Sequence, residues 1–106
     1  MNPVKMNAEE IFKHLHKHPE LSFKEFETTA FIKSILQKEG IEILPLNLKS
    51  GTGVLARIKG AFPGPNIGFR CDIDALPILE KSGVPYESEN KGVMHACGHD
   101  IHTTIG

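Results

Sequence analysis

Apolar and polar residues recur along this chain with two different periods, and the change falls near residue 41. Upstream of it, Ile11, Phe12 and Leu15 lie on one helical face and predict a helix of about three turns. Asn7 with Glu10 is an Asn variant of the capping box, in which each side chain accepts a hydrogen bond from the other's backbone N–H, so the helix opens at Asn7. Pro19 forbids its continuation. A second such pair, Ser22 with Glu25, predicts a longer helix with Phe26, Ala30, Phe31 and Ile35 as its apolar stripe and Gly40 as its left-handed stop.

From Ile41 the period approaches two. Ile41, Ile43, Leu44 and Leu46 predict a short strand, in which Pro45 favours an edge or a bulge. A turn over 49–53 leads to a half-buried strand over 54–59, and the Gly- and Pro-rich run 60–65 is a further turn. Residues 66–71 read as a buried strand, hairpinned with or close beside 54–59, that runs into Asp72 and Asp74. Residues 93–96 predict a last short strand, and 97–100 a loop into a helix starting near Ile101 or His102. Two helices followed by a sheet place the chain in the α/β class.

A length of 106 residues allows one domain at most, and 40% hydrophobic with 24% charged residues is an ordinary globular composition. Lys and Arg number 12 against 13 Asp and Glu, so no net field draws the chain to nucleic acid or an acidic membrane. No apolar run approaches the ~18 residues of a membrane span, and the first residues carry no secretory apolar core. Two cysteines are too few for a disulfide framework, which predicts a cytoplasmic protein with reduced thiols.

The densest chemistry lies at 95–102. Cys97 and His99, in a Cys-x-His arrangement around Gly98, can both coordinate one transition metal from a tight loop, and a thiolate with an imidazole suits zinc. Asp100 is either a ligand itself or an acceptor that fixes a histidine tautomer; His95 and His102 are either further ligands or substrate-facing donors. Strand alternation puts Asp72 and Asp74 on one face, where Arg70 offsets their mutual repulsion. His14, His16 and His18 read as histidines offsetting the negative end of the first helix, and Cys71 as a small core residue.

The stretches 16–33 (HKHPELSFKEFETTAFIK), 51–60 (GTGVLARIKG), 67–78 (IGFRCDIDALPI) and 90–106 (NKGVMHACGHDIHTTIG), in this order and spacing, resemble the amidohydrolase branch of the dinuclear metallopeptidases. That branch includes hippurate hydrolase, the auxin-conjugate hydrolases and N-acetyldiaminopimelate deacetylase. The resemblance covers nearly the whole chain. It implies that 1–106 is the N-terminal portion of a helix-flanked, mixed-sheet catalytic domain, without the lid domain inserted later, through which a homodimer of the intact protein would form. It also implies that Cys97 and His99 are ligands to one or two divalent ions, zinc or manganese, and that Asp74 is the active-site aspartate. The remaining ligands, a glutamate and two histidines, and the glutamate that activates water are then expected beyond Gly106. The expected substrate is a small N-acyl amino acid. Two other expectations stand beside this one: a non-catalytic module, and a self-contained zinc module on His95, Cys97, His99 and His102.

Overall fold

The computed structural model describes residues 6–106. In chain order these form α1 (Ala8–Lys17), α2 (Phe26–Lys38), β1 (Glu42–Leu44), β2 (Leu55–Arg57) and α3 (His99–Ile105). Helices beside a small sheet are the α/β class that the sequence predicts.

The start of α1 is the expected reciprocal box: the Glu10 N–H donates to Asn7 Oδ1 at 2.8 Å and the Asn7 N–H to Glu10 Oε2 at 3.2 Å. The box contributes about 1 kcal/mol. Beyond Lys17 the chain turns at Pro19, whose side chain is fully buried.

The second predicted box does not form. Phe23 takes a left-handed φ of 66°, which turns the chain between Ser22 and the helix, and Glu25 becomes the N-cap residue with no side-chain cap bond of its own. Glu20, from before the turn, does the capping. Its carboxylate accepts from the Glu27 N–H at 3.1 Å and from the Thr28 N–H and hydroxyl, each at 2.6 Å. Glu25 is instead buried and accepts from the Thr52 hydroxyl at 3.3 Å, while the Gly53 N–H donates to Thr29 Oγ1 at 2.9 Å. These bonds turn Thr28 and Thr29 inward and leave Phe26 and Ala30, half of the expected apolar stripe, exposed. The helix ends as expected: Gly40 has φ +74°, its N–H donates to the Gln37 carbonyl, and the Ile41 N–H reaches back to Leu36.

The sheet differs from the predicted pairing. β1 runs antiparallel to β2 with Glu42 opposite Arg57, Ile43 opposite Ala56 and Leu44 opposite Leu55. The Arg57 guanidinium forks onto the Glu42 carboxylate across this register. Residues 66–71 form no strand, and Ile67 and Phe69 are 92% and 71% exposed. An apolar run becomes a strand only where a ladder partner lies beside it, and among the described residues β1 has taken that place next to β2.

The junction that carries the site is irregular backbone tied by a few long-range bonds. The Ala75 N–H donates to the Glu20 carbonyl at 2.8 Å, and Leu76 and Met94 exchange both backbone bonds at 2.9 Å. The strand expected over 93–96 is thus a single bridge. Among the described residues Leu15, Pro19, Ala75 and Val93 are buried and apolar; the 75–76 segment lies between residues 20–21, just beyond α1, and Met94. α1 also packs on α3, and α2 packs on β1.

Candidate metal centre

α3 opens at His99, earlier than the sequence predicts, because Gly98 in the left-handed region (φ 80°) serves as its N-cap. Cys97 precedes that turn and is exposed as a free thiol. His99 is half-buried, and its Nδ1 lies 3.0 Å from both the main-chain oxygen and Oδ1 of Asp74. Both partners can only accept, so Nδ1 carries the proton and the lone pair of the neutral ring is on Nε2. Nε2 is 3.9 Å from Asp72 Oδ2, beyond hydrogen-bonding distance.

Asp72 and Asp74 therefore face one imidazole, as the predicted same-face arrangement requires, although 71–74 is not a strand. Arg70 donates to Asp72 Oδ1 at 2.7 Å and offsets its charge, and the Thr103 hydroxyl donates to the Asp72 carbonyl at 3.0 Å. Cys71 is half-buried.

Asp100, the residue after His99, is 2% exposed and belongs to a different set of bonds. Its Oδ2 lies 2.7 Å from His16 Nδ1, and Glu80 Oε2 lies 2.7 Å from His16 Nε2. Glu80 also accepts from the Ser82 hydroxyl and from the Ser88 N–H at 2.8 Å. Burial alone would push the His16 pKa down, but hydrogen bonds and charge from Glu80 and Asp100 raise it above its ordinary value. A carboxyl group on each ring nitrogen favours the protonated ring. Burial opposes ionisation of Glu80 too, yet His16, Ser82 and Ser88 hold its carboxyl below the usual range.

The three N-terminal histidines thus do not act as one group. His18 Nδ1 lies 2.8 Å from the His14 carbonyl near the end of α1, which is the expected role at a helix C-terminus. His14 stacks on Phe31 with ring centroids 3.7 Å apart. His16, read from the sequence as a third dipole partner, is a buried ion-pair residue. A signal for its burial was present, since His16 follows Phe12 by four residues and extends the face of Ile11, Phe12 and Leu15. For Glu80, in an irregular stretch, no such signal exists.

His95 is 5% exposed, and neither ring nitrogen has a hydrogen-bond partner. Burial pushes its pKa below the ordinary value, so the ring is neutral. His102 is exposed on α3 with its ring centroid 6.1 Å from that of His99. With Cys97 and His102 exposed and His95 buried, the four residues of the self-contained zinc module do not converge. Among the described residues no group of three His, Cys, Asp or Glu side chains is placed to hold a metal ion. The donor types present are those a divalent site uses: the Cys97 thiol, the His99 imidazole with its Nδ1 anchored on a carboxylate, and the Asp72 carboxylate 3.9 Å from the His99 Nε2.

Residues 68–106 match the family model described as peptidase family M20/M25/M40. An N-acetyl-L-cysteine deacetylase of Bacillus subtilis is 58% identical over 96% of this chain and 25% of its own length. A second B. subtilis protein, an N-acetylcysteine deacetylase, is 58% identical over 84% of this chain and 23% of its own. A crystal structure of a B. subtilis protein described as a dinuclear metal-binding peptidase of the M20 family superposes with a TM-score of 0.87 at 52% identity, over 92% of this chain and 27% of that one. The chain thus spans about a quarter of the length of the relatives it matches. No helix among the described residues is long and apolar enough to cross a membrane.

Proposed function

Since the chain belongs to peptidase family M20/M25/M40, we propose that it supplies part of the metal site of a hydrolase that, when intact, cleaves the amide bond of small N-acyl amino acids in the cytoplasm. The observation that carries this reading is the His99–Asp74 pair, in which a carboxylate and a carbonyl hold Nδ1–H and leave the Nε2 lone pair available. A histidine that binds a metal through Nε2 needs this tautomer.

Cys97 and His99 would hold a divalent ion, zinc or manganese, in a site of one or two ions. Such an ion supplies Lewis-acid polarisation of the amide carbonyl and activation of water. Asp74 fixes the ring and tautomer of His99. Asp72 keeps negative charge beside Nε2, and Arg70 limits that charge by pairing with it. Arg70 and His102, both exposed, are the substrate-facing donors, suited to the carboxylate of an acyl amino acid. Domain membership follows the same reading, with residues 1–106 as the N-terminal portion of the catalytic domain.

Cys97→Ala in the intact protein tests the reading. Loss of retained metal and of amide hydrolysis across a panel of N-acyl amino acids is expected; full metal content and activity in that variant would overturn it. The second reading, a non-catalytic module, draws on the lack of three convergent ligands among the described residues. Metal analysis of the 106-residue chain, intact protein alongside, separates the two: metal in the intact protein alone supports the shared site.

A further inference from the structure

The His16 ring lies between Asp100 and Glu80, and its partner Asp100 is next in sequence to His99. Resting on the reading of Cys97 and His99 as metal ligands, we propose that His16 is a positioning residue for the metal site, acting through Asp100 to set the rotation of the first turn of α3. Successive residues of a helix project about 100° apart. Once the side chain of Asp100 is held toward α1, that of His99 is directed away from α1, toward the 72–74 segment.

Three features make the coupling specific. Both oxygens of Asp100 are committed, Oδ2 to His16 at 2.7 Å and Oδ1 to the Ile101 N–H at 2.9 Å, so its side chain has one setting. His16 is anchored on its far side by Glu80, which is itself held by Ser82 and Ser88. The other side of α3 is tied to the opposite wall, with the Thr103 hydroxyl on the Asp72 carbonyl and His99 on Asp74. The short helix is thereby clamped between α1 and the segment carrying the acidic pair. Without the His16 link, α1 still packs on α3 but no side-chain hydrogen bond from α1 fixes the first turn of α3.

Cobalt(II) binding to the intact protein tests this, because a thiolate-to-cobalt charge-transfer band reports Cys97 and the ligand-field bands report the arrangement of donors. His16→Gln and Asp100→Asn are expected to remain folded, to bind cobalt ten- to a hundredfold more weakly, and to shift the ligand-field bands. Phe12→Ala removes a ring packed against His16 and Tyr86 without touching the ion pair, and is expected to lower stability while keeping the parent spectrum and affinity. Should His16→Gln fail to fold, Asp100→Asn carries the test, since it preserves the side chain's shape. Parent-like affinity and bands in the His16 and Asp100 variants, or equal losses in Phe12→Ala, would overturn the inference alone. Absence of any thiolate-to-cobalt band in the parent protein would overturn the metal reading beneath it as well.

Discussion

The His99 ring is oriented by Asp74 through two acceptors at once, its Nδ1 lying 3.0 Å from both the side-chain Oδ1 and the main-chain oxygen of that residue. Asp74→Ala removes one acceptor and leaves the carbonyl. The expected outcome in the intact protein is a ten- to hundredfold loss in metal affinity or kcat/KM, the usual scale for a partner that orients a ligand. The half-exposed carboxylate contributes little to folding, so the unfolding midpoint stays near the parent value. Activity within twofold of the parent would remove Asp74 from the site.

Replacing His16 by Leu leaves Glu80 and Asp100 buried without the ring that each of them binds. Breaking a buried pair in this way costs about 3–5 kcal/mol, to be read from equilibrium urea unfolding. Adding Glu80→Leu is expected to recover part of the loss, because it removes one stranded charge. A His16→Leu variant within about 1 kcal/mol of the parent would show that the pair is not a stabilising contact.

Stability is expected to peak between the ordinary glutamate and histidine pKa values. The folded pKa of His16 is raised, so its contribution is complete below the ordinary histidine value and is lost as pH climbs through the raised one. The folded pKa of Glu80 is lowered, so its contribution is present above the ordinary glutamate value and is lost as pH falls through the lowered one. The groups around His16 are Glu80 and Tyr86 from the 80–88 segment, Asp100 from α3, His95 beside the core, and Lys13 over the Tyr86 ring. Urea midpoints measured across pH test this. An alkaline limb as steep in His16→Leu as in the parent would assign the effect elsewhere.

Glu20→Ala takes the cap from α2, leaving the N–H groups of Glu27 and Thr28 without their acceptor. A loss of about 1 kcal/mol is expected in thermal or urea unfolding, with partial retention in Glu20→Gln, which still accepts. Ser22→Ala, by contrast, is expected to be neutral, because Ser22 caps nothing.

Gly98→Ala probes the turn into α3. An added Cβ would meet no atom within 4 Å, so the expected cost of about 1 kcal/mol comes from the left-handed backbone alone. Metal affinity in the intact protein is expected to fall with it, since Gly98 separates the two proposed ligands.

Features decided within a few residues were legible in the chain. The Asn7–Glu10 box and the stop at Gly40 follow from local hydrogen bonding and backbone preference, and a helix at the end of the chain was expected too, although α3 opens at His99, ahead of the predicted start. The same-face reading of Asp72 and Asp74 is matched in part, since the structure brings both aspartates against the His99 ring. The Ser22–Glu25 box failed because a left-handed Phe23 intervenes and a carboxylate from the other side of the turn reaches the same N–H groups. The strand over 66–71 failed because apolar content does not name a ladder partner.

The sequence by itself determined the start of α1, the stop of α2 at Gly40 and which residue types stand together in 95–102, because those outcomes depend on atoms a few bonds apart. Only the tertiary structure decided that β2 pairs with β1, and that His16 lies between Glu80, 64 residues away, and Asp100, 84 residues away. One carboxylate is chemically like another in a chain with 13 of them, so the choice of partner depends on how the packed elements place them.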